Sequence, residues 1–431
     1  MSEAGGHDNA AIWRERYEDL AREVAAAARR ARPVLISSTT DIDEIYTLRA
    51  HELAALEHEA ADGAGLAARV ASAILDWVGT GKDAELDWRW SEGHEWLRAT
   101  LAAPTRVQLG GTGPQAAWAL ASLGAPSVMA LACRHPEQLD VLPVTMQIVE
   151  DGRLVEVGVA TPNTATPPCR HAILECAQGT SWRGMSTPRA SRLIVRFAPI
   201  GLEVDEGFLA LQETLAPEAG AALCSGLNGL DPDDRRSITW VKEVAGSWRR
   251  GGVSLRHLEL GDTARPEELR RFMAMLHGLF SSIGLSATEL LRLSGGERDI
   301  PTAAVELATF MGSASVVVHA DRWSLAVSRD DDEQILRRLM AGNLLAAARA
   351  ANGAPQARLE PPAHARYGSD RPAVYQMTPG WHAACVPTPY VERPASTIGL
   401  GDTFAAGMLL AESIPTPGRV CAPVETGKSI A

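Results

Sequence analysis

The chain has 431 residues, which is too long for one simple core and predicts either a large domain with a smaller one or two comparable domains. Hydrophobic residues make up 46% and charged residues 22%, so the composition is that of a globular protein and excludes a disordered or fibrous one. The formal net charge of −12 argues against a nucleic-acid partner, and the lack of a long apolar run argues against a membrane span or signal peptide. We therefore expect a cytoplasmic protein whose partners are small molecules.

The first part of the chain predicts a helix and a strand, and later a strand that leads through a glycine turn into a helix. Apolar residues recur at helical spacing near the start, and short apolar runs bounded by polar residues or glycine follow. The predicted elements are an amphipathic helix over 9–32, a strand over 33–38 whose end leads into Asp41 and Asp43, mainly helix over 44–100, a strand over 107–109, a turn at Gly110 and Gly111, and a helix through Leu123. Polar residues after a buried strand are typical of the ligand crevice of an α/β sheet.

The rest of the chain changes its pattern at about residue 205. Before that point, short β-type runs at 144–149, 154–159 and 193–197 are separated by Gly and Pro, and they predict an antiparallel or mixed sheet that serves as a lid. After it, the predicted elements are strands over 221–225, 253–259, 316–319 and 383–386 and helices over 266–280, 333–350 and 402–412. Such alternation predicts a parallel sheet with helices on both faces, and hence an α/β fold.

The most informative motif is the run from Gly399 to Asp402 at the start of the last predicted helix. Gly399 and Gly401 leave backbone N–H groups unobstructed, and a helix N-terminus attracts phosphate oxygens. Asp402, in the first turn, is placed to accept a proton from an attacking hydroxyl. The motif therefore predicts a kinase, although a tight turn with Asp402 as a helix cap is the structural alternative.

Polar clusters elsewhere in the chain favour the kinase interpretation. They are Asp41 and Asp43, Gly110 and Gly111, His257 and Glu259, and the Gly399 to Asp402 turn, and each follows a predicted strand. The carboxyl ends of parallel strands meet at one crevice, so we expect these clusters to converge on one site.

The segment from Val386 to Asp402, VPTPYVERPASTIGLGD, resembles the VPT…P.ST.GLGD segment of the ADP-dependent glucokinases and phosphofructokinases of the ribokinase-like superfamily. Other stretches are similar to elements of that family: His257-Leu258-Glu259 to HxE, 283–290 to G(L/M)NxxEL, Asp41-Ile42-Asp43 to Asn-Ile-Asp, Gly110-Gly111 to the sugar-contacting turn, 81–85 to GKaxE and 191–194 to NR-I. The resemblance spans roughly residues 34–410 at low overall identity.

The resemblance implies a ribokinase-like fold, with a large αβα sandwich domain around a mainly parallel sheet and a smaller α/β lid domain. Residues 1–43, 106–142 and 198–431 would form the large nucleotide-binding domain, and residues 44–105 and 143–197 the lid, which contributes to the acceptor site. It implies an enzyme, active as a monomer or homodimer, that transfers the terminal phosphoryl group of ADP to a hydroxyl of a sugar or sugar-like acceptor with Mg²⁺, giving AMP.

The resemblance also implies roles for individual residues. Asp402 would be the catalytic base, and the backbone amides of Gly399, Leu400 and Gly401 the anion hole. The nucleotide would be bound by Arg192, His319, Val386 and Thr397, the acceptor by Asp41, Asp43, Glu85, Gly110 and Gly111, and the magnesium ion by Glu259 and Glu289. The structural alternatives stay open: Glu289 as a helix-start carboxylate, Glu259 as the end of a strand, Arg192 as a surface arginine and His319 as a core histidine.

Two departures from the family pattern lie at the acceptor site. The family has GGQAG or GGNAG where this chain continues from Gly111 with Thr112-Gly113-Pro114, and Asp41 stands where the family has Asn. The extra carboxylate disfavours an anionic phosphosugar and favours a neutral polyol or an amine-bearing acceptor, such as an aminosugar or aminocyclitol.

Two other functions remain open at this point. An ATP-dependent ribokinase-type carbohydrate or nucleoside kinase also contains GxGD and a double-glycine turn, so the donor cannot be assigned from the sequence. A catalytically silent nucleotide- or sugar-binding regulator on the same fold is the second alternative, against which the presence of Asp402, Glu259 and Glu289 together argues.

Overall fold

The structure is a computed structural model, and it describes residues 4–63, 65–198, 201–230, 234–263, 265–296, 298–329, 332–368 and 379–415. The helices are α1 (Ala4–Ala27), α2 (Ala50–Asp62), α3 (Gly65–Val78), α4 (Gly93–Leu101), α5 (Thr112–Ser122), α6 (Pro136–Val141), α7 (Glu206–Ala210), α8 (Gln212–Glu218), α9 (Arg235–Arg250), α10 (Pro266–Met275), α11 (Ala287–Leu293), α12 (Ile300–Met311), α13 (Asp332–Asn352) and α14 (Leu400–Ser413). The strands are β1 (Val34–Ser37), β2 (Asp41–Leu48), β3 (Ala84–Asp87), β4 (Arg106–Gly110), β5 (Ser127–Met129), β6 (Gln147–Glu150), β7 (Arg153–Glu156), β8 (Arg170–Cys176), β9 (Ser181–Trp182), β10 (Met185–Ser186), β11 (Ser191–Arg196), β12 (Ala221–Cys224), β13 (Leu255–Glu259), β14 (Ser282–Ser286), β15 (Ser315–His319), β16 (Trp323–Ser328) and β17 (His382–Pro387).

The larger sheet has ten strands in the order β17-β16-β15-β14-β13-β12-β1-β5-β6-β7. The strands from β15 through β6 run parallel, while β16, β17 and β7 pair antiparallel with their neighbours. Side chains alternate across a strand, so Leu35 packs into a core under α9, α10 and α12, and Val34 and Ile36 pack into the opposite core under α1, α5, α13 and α14. The sheet is therefore the middle layer of an αβα sandwich, as predicted.

The smaller sheet has five strands in the order β3-β11-β8-β2-β4, with both parallel and antiparallel pairs. One face packs on α2, α3 and α4 through an apolar core that includes Trp77 and Leu97. On its other face, Ile45 and Ile173 contact Ile398, which lies directly before the Gly399 turn. The smaller sheet therefore lies over the start of α14.

The predicted strand–turn–helix unit at 107–123 is present as β4, the glycine turn and α5, and the alternating elements after residue 205 are present with small shifts in their ends. The predicted boundaries of the two domains differ from the sheets. Strand β4 lies in the smaller sheet although 106–142 was assigned to the large domain, and β6 and β7 lie in the larger sheet although 143–197 was assigned to the lid. The reason is that each sheet recruits its strands by pairing with distant segments, which a local pattern does not record.

Asp41 and Asp43 also differ from expectation, because they begin strand β2 rather than end the first strand. Within the described residues, no helix is both long and apolar enough to cross a membrane. The predicted part of the large domain beyond residue 415 lies outside the described residues.

Candidate active site

Helix α14 begins at a turn that presents free backbone donors. Gly399 precedes the helix in the left-handed region, with φ 72° and ψ 17°, and a β-carbon there would collide with the guanidinium of Arg349. Only glycine suits both the conformation and the space. The amides that follow, at Leu400 and Gly401, are at the positive end of the helix dipole, so this turn is built to hold an anion.

Asp402 lies in the first turn of α14. Burial raises the pKa of Asp402 above the ordinary carboxyl value, and the charge of Glu259 adds to this, while Arg349, the nearby Thr112 side chain and Arg192 oppose it. A raised pKa suits a general base, because it makes the carboxylate a stronger acceptor for a proton. Thr112 is the first residue of α5, so the start of this helix contacts the predicted base.

Arg349, on α13, is a charged side chain with only 1% of its surface exposed. Its Nη1 donates to Thr403 Oγ1 at 2.9 Å and its Nη2 to Gln115 Oε1 at 2.7 Å, and its guanidinium lies 5.3 Å from the ring centroid of Trp118. Burial lowers the pKa of Arg349 to about 10, with Asp402 and Asp43 opposing the change, so the side chain stays protonated at neutral pH. A fixed positive charge therefore lies behind the Gly399 turn.

The carboxylate of Glu259 ends strand β13 between two imidazoles. His257 Nε2 donates to its Oε2 at 2.7 Å, and His319 Nε2, from the end of β15, donates to its Oε1 at 3.1 Å. Burial raises the pKa of Glu259, but these hydrogen bonds outweigh burial and lower it to about 2. Burial lowers the pKa of His319, but Glu259, Glu289 and Asp402 raise it more. Glu259 therefore carries a negative charge at neutral pH. The ring of His319, which lies beside this carboxylate, also packs against Phe404 of α14, with 5.3 Å between the ring centroids.

Glu289 lies one turn into α11 and caps that helix. Ser286 N donates to Glu289 Oε2 at 2.7 Å, and Glu289 N donates to Ser286 Oγ at 3.2 Å, which is a capping box. Burial raises the pKa of Glu289 to about 7, with Glu259 adding to the shift and His319 and Ser286 opposing it. The helix-capping alternative therefore accounts for Oε2 of Glu289. The Glu289 carboxylate also lies close enough to Glu259 for that charge to affect the pKa of Glu289, as expected of two ligands of the predicted metal site.

The predicted acceptor residues meet where β2 pairs with β4, in the register Asp41 to Gly110. A β-carbon at Gly110 would collide with the carboxylates of Asp41 and Asp43, so the missing side chain of Gly110 makes the space they occupy. His171, on the adjacent strand β8, brings its Nδ1 to 3.1 Å from Asp41 Oδ1 and 3.7 Å from Asp43 Oδ1. One ligand atom from each of Asp41, Asp43 and His171 lies within 4.8 Å of the others, close enough to hold one small cation. Gly111 continues the turn and precedes α5.

The acceptor pocket brings two buried carboxylates and one histidine together. Burial raises the pKa of Asp43 to about 6, with Asp41 adding to it and His171 opposing it. Burial lowers the pKa of His171, but the two carboxylates outweigh burial and raise it to about 9. Asp41 is fully buried, and neither of its oxygens has a hydrogen bond of good geometry from another described residue. Two carboxylates thus share one imidazolium, with Arg196 and Arg349 close enough to interact with the cluster, and Asp41 Oδ2 has no hydrogen-bond donor among the described residues.

The remaining predicted residues lie in three different surroundings. Arg192, on β11 of the smaller sheet, donates to the backbone carbonyl of Thr397 just before the Gly399 turn, while its own N–H donates to Asp83 at 3.0 Å. Glu85 forms an ion pair with Arg196 within the smaller sheet. Val386 is fully buried in the apolar cluster around Phe404, so its side chain is a core residue. The structure therefore brings Asp402, Glu259, Glu289, His319, Arg192 and Thr397 to one edge of the sheet and leaves the Val386 side chain inside.

Sequence reasoning missed two residues of this site, His171 and Arg349, and it did not place Thr112 near Asp402. His171 is the second residue of an unrecognised strand after a proline-rich stretch, and Arg349 lies in an alanine-rich helix where it looks like a surface arginine. Thr112 departs from the family pattern, and that departure alone does not indicate its position beside Asp402. The one signal for Arg349 was its place on the apolar side of α13.

Comparisons with known proteins identify the relatives of this chain. A sequence model of the ADP-specific phosphofructokinase/glucokinase conserved region matches residues 68–342. The ADP-dependent glucose/glucosamine kinase of Pyrococcus abyssi is 25% identical, over 93% of this chain and 98% of that protein. Among solved structures, an ADP-dependent kinase in complex with fructose 6-phosphate and ADPβS has a TM-score of 0.76 at 18% identity, over 94% of this chain and 99% of that one. A hypothetical ADP-dependent phosphofructokinase from Pyrococcus horikoshii has a TM-score of 0.70 at 18% identity, over 89% of this chain and 98% of that one.

The two structural likenesses confirm the ribokinase-like fold implied by the sequence, since both cover nearly the whole chain. The sequence match extends across most of the sheet and helices that carry Glu259, Glu289 and His319. Because it covers well over half of the chain, the protein belongs to the ADP-specific phosphofructokinase/glucokinase family and is an ADP-dependent sugar kinase, a phosphotransferase with an alcohol group as acceptor.

Proposed function

We propose that this kinase phosphorylates a hydroxyl of a non-phosphorylated, amine-bearing sugar or cyclitol, with Asp402 as the base. The observation that carries the proposal is that α5 and α14 meet at their starts, where Gln115 and Thr403 both accept hydrogen bonds from Arg349, so Asp402 lies next to the turn that follows Gly110 and Gly111. A hydroxyl held at that turn would be within reach of Asp402 and of the anion-binding amides after Gly399.

In the proposed step, the acceptor hydroxyl gives its proton to Asp402 while its oxygen forms a bond to the terminal phosphorus of ADP. The bond from that phosphorus to the bridging oxygen breaks, and AMP leaves with the electron pair. The amides of the Gly399 turn and the guanidinium of Arg192 would stabilise the charge on the phosphoryl oxygens, because fixed donors in a site shielded from water need no reorganisation. Here the chain contributes position and charge.

The preference for an amine follows from the acceptor pocket. Asp41 Oδ1 faces His171 Nδ1 at 3.1 Å, its Oδ2 accepts no hydrogen bond from a described residue, and Asp43 adds a second carboxylate beside the same imidazolium. A buried carboxylate oxygen without a donor is costly, so a ligand that brings an ammonium group would relieve that cost. A sugar phosphate would instead add negative charge to this pocket.

The residues near Asp402 fit a magnesium ion. Glu259 and Glu289 are carboxylates at neighbouring positions of the sheet edge, and hard oxygen donors are what Mg²⁺ prefers. The raised pKa of Glu289, about 7, reflects burial beside the charge of Glu259, an arrangement that a divalent cation stabilises. When bound, the ion and its waters would supply positive charge to the terminal phosphate.

We also propose that the smaller sheet acts as a lid. Its strand β11 reaches the segment before the Gly399 turn through Arg192 and Thr397, and its Ile45 and Ile173 pack on Ile398. Closure over the bound acceptor would exclude water and limit hydrolysis of the nucleotide.

The test is a screen for nucleotide release with ADP and ATP as donors, each against glucose, glucosamine, an aminocyclitol, fructose 6-phosphate and a nucleoside. We expect AMP from ADP, with the aminated acceptors giving the highest kcat/KM. A phosphorylated best acceptor would contradict the proposed pocket, and ATP as the better donor would place the chain with the ATP-type kinases. Nucleotide binding without turnover on the whole panel would indicate a silent binding protein.

A further inference from the structure

A continuous chain of hydrogen bonds joins the acceptor side of the site to the anion-binding turn through Arg349. At one end, Gln115 Nε2 donates to the carbonyl of Leu109, directly before the double glycine, at 2.7 Å, and Gln115 Oε1 accepts from Arg349 Nη2 at 2.7 Å. At the other end, Arg349 Nη1 donates to Thr403 Oγ1 at 2.9 Å, and Thr403 Oγ1 donates to the carbonyl of Gly399 at 2.7 Å. Every link has normal hydrogen-bond length.

We propose that Arg349 is a positioning residue that holds the anion-binding turn at Gly399 and the acceptor turn at Gly110 in one fixed relation. This inference rests on the proposed function of the two turns. Arg349 itself does not reach the reactants, because its guanidinium lies beneath the Gly399 turn and is shielded from solvent.

The side chains in this chain are suited to a rigid role. Arg349, Gln115 and Thr403 are each no more than 2% exposed, so water does not compete for their hydrogen bonds. A planar guanidinium donates in two directions at once, whereas an ammonium on a flexible stem does not fix two partners in the same way. Trp118 packs on the guanidinium and limits its rotation further.

The chain of hydrogen bonds through Arg349 should affect kcat more than the binding of either ligand. The acceptor oxygen and the phosphorus must approach each other in line, and the two turns that would hold them belong to different elements, β4 with α5 and α14. A misplacement of about 1 Å between reacting groups costs on the order of 100-fold in rate. Loss of the chain should therefore lower kcat while each ligand still binds its own turn.

The test uses Arg349→Met, Arg349→Lys, Gln115→Met and Thr403→Val in the full-length protein, assayed by AMP formation. We expect kcat to fall on the order of 100-fold in Arg349→Met, with KM for ADP and acceptor changed by no more than about threefold. Arg349→Lys should restore only part of the rate. Because Arg349 and Gln115 act in one chain, the double variant Arg349→Met/Gln115→Met should be little slower than the slower single variant.

Arg337→Met is the matched control, because Arg337 lies on the same helix and also bonds α14, but at its far end through the carbonyl of Ala411. Its kcat should equal that of the unmodified protein. Gln115→Met and Thr403→Val remove no charge, so they test the chain even if Arg349→Met does not fold. Normal kcat in both, or losses that multiply in the double variant, overturns the inference. A wild-type protein that makes no AMP from ADP overturns the proposed function and this inference together.

Discussion

Replacement of Asp41 by asparagine tests the acceptor pocket most directly. The change keeps the shape of the side chain, removes one negative charge and restores the residue found in the family pattern. Asp41 is fully buried, its oxygens lack good donors among the described residues, and His171 Nδ1 lies 3.1 Å from Oδ1. An ammonium group of the acceptor would therefore find its best partner there.

The expected magnitude follows from the kind of hydrogen bond that is lost. A hydrogen bond to a charged group contributes about 1.5 to 3 kcal/mol. At about 1.4 kcal/mol for each factor of ten, Asp41→Asn should lower the ratio of kcat/KM for glucosamine to kcat/KM for glucose by roughly 10- to 150-fold. The absolute kcat/KM for glucose should change much less, since a hydroxyl can also bond to an amide.

The assay is AMP formation from ADP with the two sugars under the same conditions. Asp140→Asn is the control, since Asp140 is an exposed carboxylate on α6 and its loss changes the net charge equally. An unchanged ratio in Asp41→Asn, or an equal drop in Asp140→Asn, would refute the reasoning, because neither outcome is compatible with a specific contact between Asp41 and the amine.

Three further predictions follow from the site and its support. Asp402→Ala should lower kcat by about a thousandfold or more with little change in thermal unfolding. In the unmodified protein, kcat should fall at acidic pH because the base must be ionised. The midpoint of that fall should lie above the ordinary carboxyl pKa, since burial raises the pKa of Asp402. Gly399→Ala should nearly abolish AMP formation, whereas Gly152→Ala, which has the same φ of 72° but open space around it, should only lose stability by about 1 kcal/mol in chemical unfolding. Glu44→Gln should lower the free energy of unfolding at pH 7 by about 3 kcal/mol: burial raises the pKa of Glu44 but His94, Arg98 and Arg170 lower it from 4.5 to about 2. That stability is present above pH 4.5 and is lost as the pH falls towards 2, so equal stability of variant and parent at pH 7 would contradict it.

Local signals in the sequence predicted the helix start after Gly399 and the strand ends at Glu259 and His319. The glycines around Leu400 and the small residues after Asp402 fix a helix start on their own, and the strand ends at Glu259 and His319 follow from buried apolar runs. For such features the sequence segment contains both the cause and the result.

The features that it did not predict depend on partners far along the chain. His171 becomes part of the pocket only because β8 pairs with β2, and Arg349 becomes buried only because α13 packs against α14 and α5. The burial of Val386 has the same origin, since the pairing of β17 with β16 turns its side chain into the core. Sheet order and helix packing determine the burial and neighbours of these side chains, and a local sequence pattern indicates neither.

The antiparallel strands at one end of the larger sheet have a consequence for the direction of the chain. Strand β16 runs antiparallel to β15, and β17 runs antiparallel to β16, so Pro387 at the end of β17 lies opposite Trp323 at the start of β16. Strand β17 therefore runs in the same direction as β15 and ends on the side of the sheet where Glu259 and His319 lie. The direction of β17 thus delivers the segment before Gly399, and with it the helix that carries Asp402, to the catalytic side of the sheet.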